Sequence, residues 1–228
     1  MERKGTFVSA AALAASASAG SAGAAEADFE SAVRAAASYK FGDGREPLTA
    51  LEDIVKASKR SRARLAALER RFAELLGSPD ATWEAKDFVC RQLWIIGTKA
   101  SVPALAALLA DETYSDMARY ALERNPAPEA GNALRDALPN AAGKARIGIV
   151  NSLGARRDKK SIAALENIAA GTDEEAAAAA VSALGKIGGD TASRIVSRVL
   201  ETGAPKARKA AELAQRVMNG KPAPRTKK

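Results

Sequence analysis

Few residues of this chain have the chemistry of a catalyst, because the 228-residue sequence contains no histidine and one cysteine. Histidine is the commonest general base and the commonest metal ligand. Cys90 cannot form an internal disulfide or a CxxC site, and no imidazole is present to activate it as a nucleophile. Since catalysis would rest on carboxylates, Lys or Tyr alone, we expect no enzymatic activity, no catalytic or metal-binding residues and no cofactor.

The densest group of carboxylates is Asp173-Glu174-Glu175. Acidic side chains favour the positive N-terminal end of a helix dipole, and the run from Thr172 to Glu175 has the pattern of a capping box. We therefore interpret these acids as the start of a helix and not as a catalytic cluster.

The positive charge of the chain is concentrated in a few places. The net charge is +8, and residues 201–228 contain eight basic and two acidic residues. Two further basic groups stand out, each near a predicted turn between helices: Lys56, Lys59, Arg60, Arg62 and Arg64, and then Arg156, Arg157, Lys159 and Lys160. Neither group is interleaved with aromatic residues for base stacking. They are either solvated surface or contacts to an anionic polymer such as nucleic acid, a cell-wall polymer or a lipid surface.

A repeat about 30 residues long positions these residues. Four leucines, Leu93, Leu122, Leu153 and Leu184, follow one another at intervals of 29, 31 and 31 residues. In every unit the residues four before, twelve after and sixteen after the leucine are apolar. These offsets give one apolar stripe on a first helix and a matching stripe on a second helix. Because a single helix pair cannot bury its stripe alone, the pattern predicts an all-α solenoid.

Two segments have the form of a known family motif. They are Leu93-Trp94-Ile95-Ile96-Gly97 leading to Val102-Pro103-Ala104-Leu105, and Ala183-Leu184-Gly185-Lys186-Ile187-Gly188-Gly189-Asp190. Both resemble the core motif of bacterial HEAT repeats. Met117–Arg124 and Asn151–Arg156 further resemble exported bacterial proteins of this armadillo-like class. The resemblance covers residues 82–202 and implies a right-handed α-solenoid of HEAT-like hairpins that binds partners and does not catalyse a reaction.

Four regions follow from the pattern. Residues 1–27 have the basic, apolar and small-residue layout of a signal peptide, with cleavage expected after Ala24 or Ala27, although an Ala/Ser-rich tail without this role is the alternative. Residues 28–81 contain helices predicted over 27–39, 47–57 and 61–76, and form an atypical N-terminal cap. The solenoid takes residues 82–218 and ends in a capping helix with Leu213 and Val217 on one face. A disordered basic tail, residues 219–228, follows, and we expect a secreted or periplasmic protein.

A candidate partner surface lies two residues before each leucine, where the chain has Arg91, Tyr120, Asn151 and Ser182. This column is about 200° from the leucine stripe, so it points away from the core. A solvated face is the alternative interpretation. Our first hypothesis is a scaffold that binds a protein or peptide through Arg91, Tyr120, Asn151, Arg156 and Arg157. The second is electrostatic binding of an anionic polymer, with contacts from Arg60, Arg64, Lys159, Lys160 and the tail.

Overall fold

A computed structural model describes residues 27–220 of the chain. The described residues form α-helices and two short 3-10 turns, and they contain no β-strand. Twelve helices are defined within this range, the first being described over residues 27–37. In chain order they are α1 (27–37), α2 (Glu46–Ser58), α3 (Arg62–Gly77), α4 (Trp83–Ile96), α5 (Val102–Ala107), α6 (Ser115–Arg124), α7 (Pro128–Ala137), α8 (Gly143–Ala155), α9 (Ile162–Ala169), α10 (Glu174–Ile187), α11 (Asp190–Thr202) and α12 (Pro205–Met218).

The helices stack in two layers. In the first layer α4 packs on α6, α6 on α8, α8 on α10 and α10 on α12. In the second layer α5 contacts α7 and α9 contacts α11. Each unit is thus one helix from each layer, joined by a short turn, as in α4–α5 or α10–α11. This arrangement confirms the all-α solenoid that the repeat pattern predicts.

The predicted leucine register forms the centre of the core. Leu93, Leu122, Leu153 and Leu184 are all completely buried. The apolar columns four residues before and twelve after them are buried in every unit, down to Val196 in the last one. One stripe of each helix therefore faces the other layer.

The helices of the predicted N-terminal cap lie within two residues of the expected bounds. α2 contacts α4 and α3 contacts α5, so these two helices extend the two layers by another unit. Their buried apolar residues are Leu51 and Val55 on α2, with Leu68 and Phe72 on α3. The step from Val55 to Leu68 is one residue longer than in the other units. Because of this longer turn, the unit does not share the 12-residue offset that relates the two apolar stripes in the other units.

Glycines bring neighbouring helices of the first layer into close contact. A Cβ atom added to Gly154 would lie 2.7 Å from the Cα of Ala183 on α10. A Cβ atom added to Gly185 would lie 2.7 Å from the Cβ of Ala214 on α12. Both glycines directly follow the register leucine, so the Leu-Gly pair fixes a short spacing between α8, α10 and α12.

The close contact between α10 and α12 determines which face of the last helix is buried. Leu213 and Val217, which the sequence groups on one face of this helix, are 38% and 48% exposed, so that face is not the packed one. The buried face consists of the alanines Ala207, Ala210, Ala211 and Ala214. Only small side chains fit against Gly185, so the larger apolar residues of α12 face outward.

The start of α10 differs from the predicted capping box by one residue. Asp173, not Thr172, is the N-cap, and its carboxylate accepts hydrogen bonds from the backbone N–H groups of Glu175 and Ala176 at 3.1 Å. Glu174 and Glu175 lie in the first turn of α10. The acidic run therefore begins a helix, as the sequence indicated. Of the two predicted terminal segments, the signal peptide lies outside the described residues except for residue 27, and the tail lies outside them from residue 221 onward.

Candidate interaction surfaces

Polar side chains tie two of the turns within units to the turn of the unit before. The amide nitrogen of Asn125, between α6 and α7, donates to the carbonyl oxygen of Thr98 at 2.8 Å. Arg156, between α8 and α9, donates to four carbonyl oxygens at 2.5 to 3.2 Å, namely those of Leu122, Glu123, Asn125 and Ala127. Burial lowers the pKa of Arg156 from its ordinary value, and the nearby Asp158 carboxylate opposes this shift. The turns within the units thus form one edge of the solenoid.

Glu69 on α3 makes a related tie and is not detectable from the sequence pattern. Its carboxylate is 2% exposed and accepts hydrogen bonds from the backbone N–H and hydroxyl of Thr98 at 2.6 and 2.8 Å. It also accepts from the N–H of Ser101 at 3.0 Å, at the start of α5. In the sequence, a buried Glu in a helix looks the same as an exposed one, because the apolar periodicity marks only the apolar residues.

The predicted basic residues are not equivalent in the structure. The Arg156 guanidinium is part-buried and satisfies the C-terminal carbonyls of α6, so it is not available to a partner in this conformation. Arg157 is exposed and has a positive backbone φ of 52°. Lys159 and Lys160 are exposed in the 3-10 turn that follows.

The edge that contains the turns within units is basic. Arg60 is exposed at the turn between α2 and α3, and Arg64 is exposed in the first turn of α3. Arg157, Lys159 and Lys160 lie three units further along the same edge. Within the described residues none of these five forms an ion pair. Residues that are far apart in the sequence therefore share one edge.

The opposite edge, which contains the loops between units, is more acidic. It includes Asp80 before α4, Asp111 and Glu112 before α6, and the acidic start of α10. Consecutive connections of stacked helix pairs lie at opposite ends of the helices. The basic turns within units and the acidic loops between units therefore place positive charge on one edge of the solenoid and negative charge on the other.

A groove of about 530 Å³ lies between the first-layer helices α4 and α6. Its walls combine aromatic, acidic and basic side chains with one thiol and one thioether. The lining residues are Trp83, Asp87, Cys90, Arg91, Glu112, Thr113, Asp116, Met117, Arg119 and Tyr120. The groove has the mixed apolar and polar lining that is typical of binding sites.

Aromatic side chains surround this groove. Trp83 is 37% exposed, and its indole nitrogen donates to the carbonyl of Thr113 at 3.2 Å. Tyr120 is 46% exposed and stacks on Trp94 with ring centroids 5.7 Å apart and an interplanar angle of 4°. The guanidinium of Arg124 lies 4.9 Å from the centroid of the Trp94 ring. These contacts hold the rings in fixed orientations at the surface.

The structure brings together only part of the predicted polar column. Arg91 and Tyr120 line the same groove, and Arg91 forms an ion pair with Asp87. Asn151 is half-buried on α8 and does not line the groove. The hydroxyl of Ser182 donates to the carbonyl of Ala178 in its own helix at 2.9 Å. The column is thus not a single continuous surface.

Cys90 lies beneath the groove and is 1% exposed. Burial raises the pKa of its thiol to about 12, and the charge of Asp87 adds to the shift. The thiol is therefore protonated at neutral pH, which is the opposite of what a nucleophilic cysteine requires. This agrees with its predicted structural role.

Residues 27–220 contain neither a cluster of metal-ligating side chains nor a helix that could span a membrane. In this range no group of three or more His, Cys, Asp or Glu is arranged to hold a metal ion. Among residues 27–220, no helix has both the length and the apolar character needed to cross a membrane.

Comparison with known proteins identifies similarity in the C-terminal part of the chain. Residues 127–215, from α7 to α12, match the family model of HEAT repeats. Among solved structures, the human deoxyhypusine hydroxylase in complex with glycerol is 16% identical, with a TM-score of 0.49 over 86% of this chain and 81% of that chain. A comparison with curated proteins found no match. The family match agrees with the helix pairs seen in this part of the solenoid.

Proposed function

We propose that this protein is a non-enzymatic scaffold that binds a protein or peptide partner through the first-layer helices of its solenoid. The binding site is centred on the groove between α4 and α6. HEAT repeats generally serve as protein-interaction scaffolds, and the similarity of residues 127–215 to them supports this class of function. The groove itself lies N-terminal to the matched residues, so its assignment rests on geometry.

The observation that carries the proposal is the pair of exposed aromatic residues at the groove, Trp83 and Tyr120. Trp, Tyr and Arg contribute most of the binding energy at protein interfaces, and they do so where their side chains are held in place. Tyr120 is held by its stack on Trp94, and Trp83 by its hydrogen bond to Thr113. Because these rings are already ordered, binding costs little side-chain entropy.

A cross-linking pull-down with the full chain as bait tests this site. Tyr120→Ala and Trp83→Ala should each reduce capture of the partner by about tenfold or more, the effect of losing an interface hot spot. Leu213→Ala is the matched control, because Leu213 is also an exposed apolar residue but lies on α12. Urea unfolding of each variant checks that the fold is intact. Equal capture by all three variants would refute the site, and recovery of nucleic acid or cell-wall polymer alone would refute the adaptor function.

A second candidate function is electrostatic binding of an anionic polymer along the basic edge. Its support is that the exposed Arg60, Arg64, Arg157, Lys159 and Lys160 lie on one edge. Counterion release then requires an affinity that falls steeply as the salt concentration rises. Arg157→Glu with Lys160→Glu should abolish such binding, and truncation after Gly220 should weaken it. Affinity for a polyanion that does not change with salt would exclude this function.

We also propose that the protein is exported, on the basis of the signal-peptide layout of residues 1–27. A reporter enzyme fused after Phe29 should be recovered outside the cytoplasm. The matched control replaces Arg3 and Lys4 with Glu, which removes the basic start and should retain the reporter inside. A reporter that stays in the cytoplasm with the native sequence would contradict export.

A further inference from the structure

A second groove, about 580 Å³ in volume, lies between the second-layer helices α5 and α7. Most of its floor is alanine, and its polar residues are carboxylates and amides. The lining residues are Ala106, Leu109, Ala110, Glu112, Glu129, Asn132, Ala133, Asp136, Ala137, Asn140, Ala141, Ala142 and Ala145. No lysine or arginine lines it, although the chain as a whole carries a charge of +8.

The carboxylates of this groove are not neutralised within the part of the chain that the structure describes. Glu112, Glu129 and Asp136 are exposed and form no ion pair there, whereas the neighbouring Arg135 is paired with Asp158. Glu129 and Asp136 are seven residues apart on α7 and lie on one face, two helical turns from each other. The groove therefore presents an apolar floor between negative charges.

The acidic groove and the aromatic groove share one lining residue. Glu112, in the loop between α5 and α6, lines both of them. Residues 80–136, which build both grooves, contain nine acidic and six basic residues, while the rest of the chain has an excess of basic residues. Both grooves thus lie in a part of the chain with an excess of acidic residues, next to each other at Glu112.

We propose that this acidic groove binds a basic, extended segment of a partner, in which Lys or Arg alternates with small apolar residues. This inference rests on the proposed scaffold function, because the same partner would continue from the aromatic groove past Glu112. A floor of alanine side chains leaves room for a peptide backbone with small side chains. The carboxylates on the rim then pair with the basic side chains, and charge complementarity sets the orientation.

Fluorescence anisotropy with dye-labelled peptides tests the proposal on the full chain. The probe is (Ala-Lys)5, an extended basic peptide, and (Ala-Glu)5 is its acidic counterpart. The groove variant Glu129→Gln/Asp136→Asn removes two negative charges with little change in shape. The matched control, Glu201→Gln/Glu212→Gln, removes the same charge from exposed residues on α11 and α12 that form no ion pair among the described residues.

We expect (Ala-Lys)5 to bind, (Ala-Glu)5 not to bind, and the groove variant to weaken binding about tenfold, the effect of losing about 1.4 kcal/mol of binding free energy. The control should change the affinity less than about twofold. Equal weakening by both double variants would refute the proposal, because net charge alone would then explain the binding, and so would an absence of (Ala-Lys)5 binding.

The result also separates this inference from the proposed function. Loss of (Ala-Lys)5 in the groove variant, together with unchanged partner capture by Tyr120→Ala, would support the acidic groove and refute the aromatic one. Loss of partner capture by Tyr120→Ala, with (Ala-Lys)5 binding equal in wild type and groove variant, would refute the acidic groove and support the aromatic one.

Discussion

Replacement of Arg156 by Met tests whether this residue holds the fold or serves a partner. Its guanidinium makes four hydrogen bonds to carbonyls of the preceding unit. Three of the four acceptors share one nitrogen, which carries two N–H groups, and the fourth acceptor uses the other nitrogen. We therefore count about three effective hydrogen bonds, each of which stabilises the fold by about 1 kcal/mol at a half-buried site. The methionine keeps most of the aliphatic length, so the loss of about 3 kcal/mol comes mainly from the unsatisfied carbonyls.

Urea unfolding followed by far-UV circular dichroism measures this loss. With a slope of about 2 kcal/mol per molar urea, the midpoint should fall by about 1.5 M. Arg157→Met is the matched control, because Arg157 is the next residue and is exposed. Its free energy of unfolding should stay within about 0.5 kcal/mol of wild type. If the two variants unfold at the same urea concentration, the structural role of Arg156 is refuted.

Three further perturbations test the packing and the buried polar groups. Gly185→Ala should lower the free energy of unfolding by about 2 kcal/mol, since the added methyl group would lie 2.7 Å from the Cβ of Ala214. The control Gly77→Ala has open space around the added methyl group and should be neutral or stabilising. Urea midpoints measure both effects, and equal effects would contradict the close contact. Glu69→Met should lower the free energy of unfolding by about 3 kcal/mol, because the buried backbone N–H groups of Thr98 and Ser101 lose their shared acceptor, and a variant as stable as wild type in thermal unfolding would contradict this. The Cys90 thiol, whose pKa is raised to about 12, stays protonated in the folded protein at all pH values below that, so a thiol-specific reagent at about pH 8 should react only when urea unfolds the chain. Rapid labelling of the native protein would show that the thiol is accessible.

The sequence predicts the parts of this fold that repeat, and it misses the parts that depend on contact between units. The leucine register identified four units, because burial against the second layer imposes the same apolar offsets on each of them. The buried face of α12 does not follow from its own sequence, because its packing is set by Gly185 on a neighbouring helix and not by the size of its own apolar residues.

The candidate site shows the same limit. Arg91 and Tyr120 were identified from their position relative to the leucines, and the structure places both at one groove. Arg156 and Arg157 are adjacent residues of the same type, so the sequence alone does not distinguish their roles. The different role of Arg156 follows from carbonyls that lie about 30 residues earlier in the chain, which no local pattern can indicate.

The ties between turns also set an order in time during synthesis of the chain. The carbonyls from the end of α6 to the start of α7 are translated 29 to 34 residues before Arg156, the side chain that pairs with them. While the ribosome adds the next unit, the turn between α6 and α7 is therefore complete in sequence but lacks its hydrogen-bond donor. This turn is therefore fully paired only after the next unit has been added, so a chain truncated before Arg156 would keep α6 and α7 but leave the carbonyls of their turn without this donor.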